Sequence, residues 1–380
     1  VTVYEQSDKI LQKVKISGGG RCNVTHACYE AQQLVQFYPR GAKELRGAFE
    51  RFGPQDMLEW LQSHDVELKT EQDGRIFPVS DSSSSIIDCF KRILFKNNVE
   101  IKYSANISLI KYIESKSIIT VKYSQENVDE LDYLLICGGG SPKLWNMLNE
   151  LSLSIVTPVP SLFTFNTKDT LFRDLSGLSV PNASISIMDT QFVILGAVLI
   201  THWGLSGPAI LKLSAMAARH LAVEKYHFTI KINWLNEREE NMTTKLKEIK
   251  SFYGKRNVHA YNHQLLPSRL WKNILYKAKI VDNKNWADLN NQELKILAQL
   301  LTGTTVEIYG KSTHKDEFVT AGGVSLSEID FKTMSAKRLP RLFFAGEVLD
   351  IDGYTGGFNF QAAWTTAWIA AQTLIKNMIK

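Results

Sequence analysis

Cysteine is scarce in this chain. Four occur in 380 residues, Cys22, Cys28, Cys89 and Cys137, and no two form a C-x-x-C pair. That spacing excludes a zinc ribbon or a disulfide framework and suits a reducing compartment, so a cytoplasmic location and no bound metal are expected. No apolar run approaches the ~20 residues that a membrane-spanning helix needs. The longest, Phe192 to Ile200, reads as a buried strand, and no membrane partner is expected. A signal peptide is not evident. The net charge is only +5, spread along the sequence without Lys/Arg clusters interleaved with aromatics, so nucleic acid is not an expected partner.

Glycine, by contrast, is concentrated where it can do chemistry. One cluster lies in Ile16-Ser17-Gly18-Gly19-Gly20-Arg21-Cys22-Asn23-Val24-Thr25, and another in Ala345-Gly346-Glu347-Val348-Leu349-Asp350-Ile351-Asp352-Gly353-Tyr354-Thr355-Gly356-Gly357. The second follows an apolar strand, Arg341 to Ala345, and runs into a helix expected to begin near Gly357. A carboxylate at the strand end is thereby set beside a helix N-terminus, whose unpaired N–H groups and positive dipole end suit an anionic or electron-rich ligand. A third cluster, Cys137-Gly138-Gly139-Gly140, stops the apolar strand Leu131 to Ile136, as happens where a backbone must come close to a cofactor. Val1-Thr2-Val3-Tyr4-Glu5 alternates as a short strand ending on a carboxylate. This is the pattern of the second strand of a dinucleotide-binding fold, so the chain is expected to be a fragment lacking the first strand and its G-x-G-x-x-G turn.

Together, in this order and this far apart, these segments resemble the bacterial FAD-binding flavoproteins typified by aminoacetone oxidase. The resemblance implies an α/β fold: a discontinuous FAD-binding Rossmann-like domain of the glutathione-reductase type with an inserted β-barrel and a helical lid. It also implies roles. Glu5 would hold the adenosine ribose and Glu347 a ribityl hydroxyl. Ser17, Gly18, Gly19, Gly20, Arg21, Cys22 and Asn23 would run along the pyrophosphate and flavin, with Arg21 as charge complement. Cys137, Gly138 and Gly139 would approach the cofactor with Gly346. Gly356, Gly357, Phe358 and Asn359 would offer N–H groups to the flavin edge where negative charge gathers on reduction. The family usually carries a longer glycine- and threonine-containing loop after Gly140, whereas here Ser141-Pro142-Lys143 passes directly into a helix.

His202 and Tyr354 are the polar groups best placed to act as catalytic residues, although the cofactor carries most of the chemistry in flavin amine oxidation. The expected activity is oxidation of a small, aminoacetone-like amine by oxygen, in a monomer or weak homo-oligomer. The alternatives are a nicotinamide-dependent reductase of a conjugated, steroid-like carbonyl compound, a flavin-bound nucleic-acid-associated protein, or an inactive fragment. No second G-x-G-x-x-G follows a strand anywhere, so a dedicated nicotinamide domain is not expected.

Helical periodicity at 43–52 and 54–64, a hairpin turning at Asp73-Gly74, and a serine-capped helix after Asp81 precede three short strands. The expected cofactor domain occupies 1–160 and 318–380. The inserted barrel would use 161–235 and 302–317, with strands at 161–166, 183–188, 191–201 and 226–234. The lid would use 236–301, and a helix capped by Ser206 or Gly207 would run to about Leu221.

Overall fold

The computed structural model describes residues 1–124, 126–312 and 319–379. The expected strand start at Phe318 and the end of the expected barrel segment, 313–317, lie outside the described residues. Two compact units emerge, Val1–Val159 with Lys315–Lys380, and Pro160–His314.

In the first unit two parallel strand pairs supply the Rossmann-type frame. Thr2–Tyr4 lies beside Glu100–Lys102, and Leu134–Ile136 beside Leu342–Phe344 with Leu342 opposite Leu134. Leu342, Phe343 and Phe344 are all buried, as a strand covered on both faces requires. The antiparallel strands Ile107–Ile113, Ile118–Tyr123 and Asn127–Leu131 form a meander, and Thr25–His26, Arg75–Pro78 and Leu68–Thr70 a second small sheet. The C-terminal helix, Phe358–Ile379, buries Phe358, Ala362, Thr365 and Ile369, a stripe at three- and four-residue spacing whose apolar members join the core containing Phe343 and Phe344.

Local chemistry sets the helix starts. Ser141 accepts from the Leu144 N–H at 3.4 Å, with Pro142 at the first helical position of Pro142–Glu150. In the serine run the helix is Ser84–Lys96, but the hydroxyl at its N-cap, Ser83, donates to the Lys15 carbonyl rather than capping. Ser82 instead accepts from the Ser84 N–H at 3.2 Å.

The second unit is built on one seven-stranded antiparallel sheet. Its spatial order is Thr304–Ile308, Phe228–Asn233, Ser179–Ile187, Val193–Ile200, Gly204–Ser206, Thr164–Asn166 and Gly310–Ser312. The expected closed barrel is not found: among the described residues the sheet is open, although the adjacent stretches 304–308 and 310–312 supply its two ends. The helix capped by Gly207 ends at Met216 and a second, Ala218–Val223, follows, so the single helix expected to reach Leu221 is interrupted at Ala217. Helices Glu239–Tyr253, Ser268–Lys277 and Asn291–Gly303 share a core with Trp234, Trp271 and Trp286. Among the described residues no helix is long and apolar enough to cross a membrane, and no cluster of His, Cys, Asp or Glu could hold a metal ion.

Candidate functional site

The strands ending at Ile136 and Phe344 leave their sheet side by side, since the Ala345 N–H donates to the Ile136 carbonyl at 3.0 Å. Gly346 turns the second chain with φ of 75°, its N–H held by the Thr366 hydroxyl at 3.0 Å. This delivers Glu347 against the glycine run. A Cβ placed on Gly140 would lie 3.6 Å from one carboxylate oxygen of Glu347, and one on Gly139 3.8 Å from the other. The Thr320 N–H donates to Glu347 at 3.0 Å. Burial nevertheless pushes the Glu347 pKa above the usual carboxylate range, against the pull of that bond. Neighbouring Cys137 is open to solvent, yet desolvation pushes its thiol up to about 12.

The first glycine loop forms a tight turn. Gly18, Gly19 and Gly20 have φ of 56°, 68° and 83°, and the Cys22 N–H closes the loop on the Ser17 carbonyl at 3.0 Å. A Cβ on Gly18 would lie 2.8 Å from the Asn23 nitrogen, whereas those on Gly19 and Gly20 would meet nothing within 4 Å. The two exposed glycines therefore leave backbone open to an approaching ligand. Ser17 spends its hydroxyl on the Val14 carbonyl, and Cys22 is fully buried with its thiol raised to about 11, which makes it a packing residue. Arg21 is committed within the protein: it pairs with Glu71 at 2.7 Å and Asp81 at 3.1 Å and lies over the Phe77 ring at 3.9 Å. Glu5, at the end of its strand, accepts from the N–H and hydroxyl of Ser7 at 2.8 and 2.9 Å.

The C-terminal glycine loop is pinned from three sides. Arg40 and Asp352 form a buried ion pair, the Asn359 amide bonds both the N–H and the carbonyl of Gly353 at 2.8 and 2.9 Å, and Tyr38 donates to the Phe358 carbonyl at 2.6 Å. Gly356 and Gly357 have φ of 131° and 91°, and a Cβ on Gly357 would strike the Thr25 backbone at 2.7 Å. With its amide turned to match its neighbours, Asn23 accepts from the Gly357 N–H at 3.0 Å. The first and last glycine segments thus meet, and the middle one meets the last through Glu347. Tyr354 is half-buried within this loop, and burial raises its phenol pKa, so it stays protonated. His202 belongs to the second unit, in the turn before Gly204–Ser206, with its ring edge-on to Trp203 at 4.3 Å.

Sequence reasoning missed His26. Its ring stacks on Phe358 at 4.8 Å and lies beside Gly356. Its Nε2 meets the Asp73 carbonyl at 3.0 Å, so that nitrogen carries the hydrogen, and the buried Nδ1 has no partner. Burial lowers its pKa, which keeps the ring neutral with an acceptor lone pair. The available signal was its position directly after the first glycine loop. Asp352, Arg40 and Thr320 carried no comparable signal.

These features fit a flavin dinucleotide. Gly19 and Gly20 would leave their turn open to it, Glu347 would accept from a hydroxyl, and the start of the C-terminal helix would be the donor end. The parallel strand pairs, with glycine turns at their ends, define a Rossmann-type domain. The chain belongs to the HI0933-like protein Rossmann domain family, whose model matches residues 1–373. It is 28% identical over 99% of its length, and 92% of the relative's, to a protein named ribosomal RNA dihydrouridine synthase from Escherichia coli K12. Identity to a protein of the same name from Haemophilus influenzae is 25%, over 98% and 92%. A 3-dehydro-bile acid delta(4,6)-reductase from Clostridium scindens is 23% identical over 98% and 92%. Among solved structures, a 3-ketosteroid-delta4-(5alpha)-dehydrogenase from Rhodococcus jostii matches with a TM-score of 0.47 and 10% identity, covering 98% of this chain and 91% of that one. The family is not specifically that of aminoacetone oxidase, and amine oxidation finds no support among these relatives.

Proposed function

We propose that this chain is an FAD-dependent reductase that adds hydrogen across a carbon–carbon double bond conjugated to a carbonyl, and that its substrate is a uracil base in ribosomal RNA. The observation that carries this reading is the similarity, along almost the whole chain, to two proteins named for making dihydrouridine in ribosomal RNA. The third relative is named for a reductase of an unsaturated 3-oxo compound, so the three names share one chemistry.

Charge supports the RNA. The whole-chain balance of +5 conceals an asymmetry: Pro160–His314 holds 19 Lys and Arg against 12 Asp and Glu, a net +7, and the remainder is −2. A basic unit of this kind favours a polyanionic partner. This reading replaces the expected small amine. Amine oxidation wants an unpaired carboxylate or an aromatic cage for a cation, whereas Asp352 beside the glycine loop is buried against Arg40.

Bound FAD, once reduced by two electrons from a nicotinamide, would supply hydride to the substrate carbon and return to the oxidised form. Glu347 would accept from a ribityl hydroxyl. The N–H groups at the start of the C-terminal helix would stabilise negative charge on the flavin edge. Tyr354, protonated because burial disfavours the phenolate, would deliver the proton to the carbon beside the carbonyl. The test is to incubate the FAD-reconstituted protein and NADPH with unmodified ribosomal RNA, then digest to nucleosides for mass spectrometry. Dihydrouridine is the expected product. Its absence, with turnover of a small amine instead, would return the chain to the oxidase class.

A further inference from the structure

The second unit carries a cluster of rings and cations at the edge of its core, against which Tyr253 and Tyr261 pack while remaining half-exposed. It occupies the end of helix Glu239–Tyr253 and the segment leading to helix Ser268–Lys277. Tyr253 and Tyr261 have ring centroids 4.9 Å apart, and His263 lies 5.4 Å from the first and 6.1 Å from the second. The Arg256 guanidinium sits 5.4 Å from the Tyr261 ring centroid. Phe252 is 80% exposed, an uncommon place for a phenylalanine with no packing role. Below them the core is already filled by Trp271 and Trp286, both fully buried.

The backbone holds this arrangement firmly. The Trp286 indole donates to the Tyr261 carbonyl at 2.9 Å, the Tyr261 N–H to the Asn257 carbonyl at 3.0 Å, and the Arg256 N–H to the Tyr253 carbonyl at 2.8 Å. His263 and Gln264 stand consecutively at φ of 49° and 57°, a conformation that side-chain-bearing residues seldom adopt and that gathers at functional loops. Lys255 and Arg256 are exposed, and neither pairs with a carboxylate among the described residues.

We propose that Phe252, Tyr253, Lys255, Arg256, Tyr261 and His263 form a stacking platform for single-stranded RNA. Ring faces receive unpaired bases and the two cations hold the adjoining phosphates, a combination suited to a single strand and not to a duplex, whose bases are stacked on one another. The proposal deepens the RNA-directed reading above, which it presumes for its biological purpose. An acidic protein surface also binds cations, but a run of unpaired bases presents a stacking face and a phosphate at every step.

The test is fluorescence anisotropy of a labelled oligouridylate of about twelve nucleotides, within the length range that such surfaces track. Phe252→Ala should weaken binding roughly fivefold or more, the range for loss of one base–aromatic stack. In the double variant Lys255→Ala/Arg256→Ala, the slope of log affinity against log salt should fall by about 0.7 per cation removed. Because these side chains are exposed, unchanged circular dichroism should accompany the losses. No binding by the wild type, unchanged affinity and slope in the variants, equal binding of a duplex, or equally effective competition by polyglutamate would each overturn the platform. Dihydrouridine formation is measured on the same proteins. If the wild type binds through these residues but forms none, the reaction reading fails and the platform stands. If the wild type forms it and the variants bind and react unchanged, the platform alone fails.

Discussion

Gly357→Ala and Gly19→Ala place a methyl group at two positive-φ positions with opposite surroundings. At Gly357, φ is 91° and the new carbon would lie 2.7 Å from the Thr25 carbonyl carbon and oxygen, backbone atoms that no rotamer change can move. The cost combines about 1–2 kcal/mol for a side chain in a left-handed conformation with about 1–3 kcal/mol for overpacking. A loss of about 2–5 kcal/mol follows for the flavin-free protein. At Gly19, φ is 68° but nothing lies within 4 Å, so only the conformational cost of about 1–2 kcal/mol applies. The flavin should respond in a different way, because Gly19 leaves open backbone in the turn proposed to face it. Gly19→Ala should lower FAD affinity beyond anything its modest stability loss explains. Urea unfolding of the flavin-free proteins, followed by circular dichroism, gives the first comparison, and fluorescence titration with FAD the second. Equal stability of the two variants would refute the packing argument. Full FAD affinity in Gly19→Ala would refute the assignment of that turn to the cofactor.

Glu347→Gln tests the buried carboxyl through pH. Its folded pKa is raised, so between the unfolded and folded values the folded state binds more protons, and stability falls as pH rises upward from about 4.5; the variant should show a flatter profile, and identical profiles would contradict the burial. Glu347→Ala should also weaken FAD binding by about 1.5–3 kcal/mol, as for loss of a charged hydrogen bond, read by the same titration. Tyr354→Phe should lower turnover roughly a hundred- to ten-thousandfold while leaving flavin content intact, the expected loss of a general acid; unchanged turnover would remove Tyr354 from the chemistry. Asp352→Ala strands Arg40 in a buried setting and should cost about 3–5 kcal/mol by urea unfolding, whereas an exposed pair would cost under about 1 kcal/mol.

What was legible in the sequence was local. Glycine runs at strand ends, Ser141 before Pro142, and Gly207 before Pro208 all act on their own backbone neighbours, and each announces a turn or helix start that the structure contains. The serine run misled in detail because the Ser83 hydroxyl found a better acceptor in Lys15, 68 residues away. Long-range partners had no local trace: Arg40 meets Asp352 across 312 positions, and Thr25 meets Gln361 across 336. The partners of Arg21, Glu71 and Asp81, are likewise remote in sequence, and only folding brings them to it. The strand order of the seven-stranded sheet, open among the described residues, also follows long-range pairing that period-two alternation cannot report. The charge asymmetry was hidden by averaging, because a whole-chain charge of +5 sums a basic unit and a slightly acidic one.

In the proposed reaction electrons leave the flavin through a uracil ring. The most direct measurement is an anaerobic single turnover: the FAD-bound protein is photoreduced, mixed with unmodified ribosomal RNA in the absence of oxygen, and followed by flavin absorbance with parallel nucleoside analysis. Oxidised flavin should return together with an equal amount of dihydrouridine, and Tyr354→Phe should slow both. Flavin that stays reduced with RNA and reoxidises only on admission of oxygen, the uridines unchanged, would contradict the account.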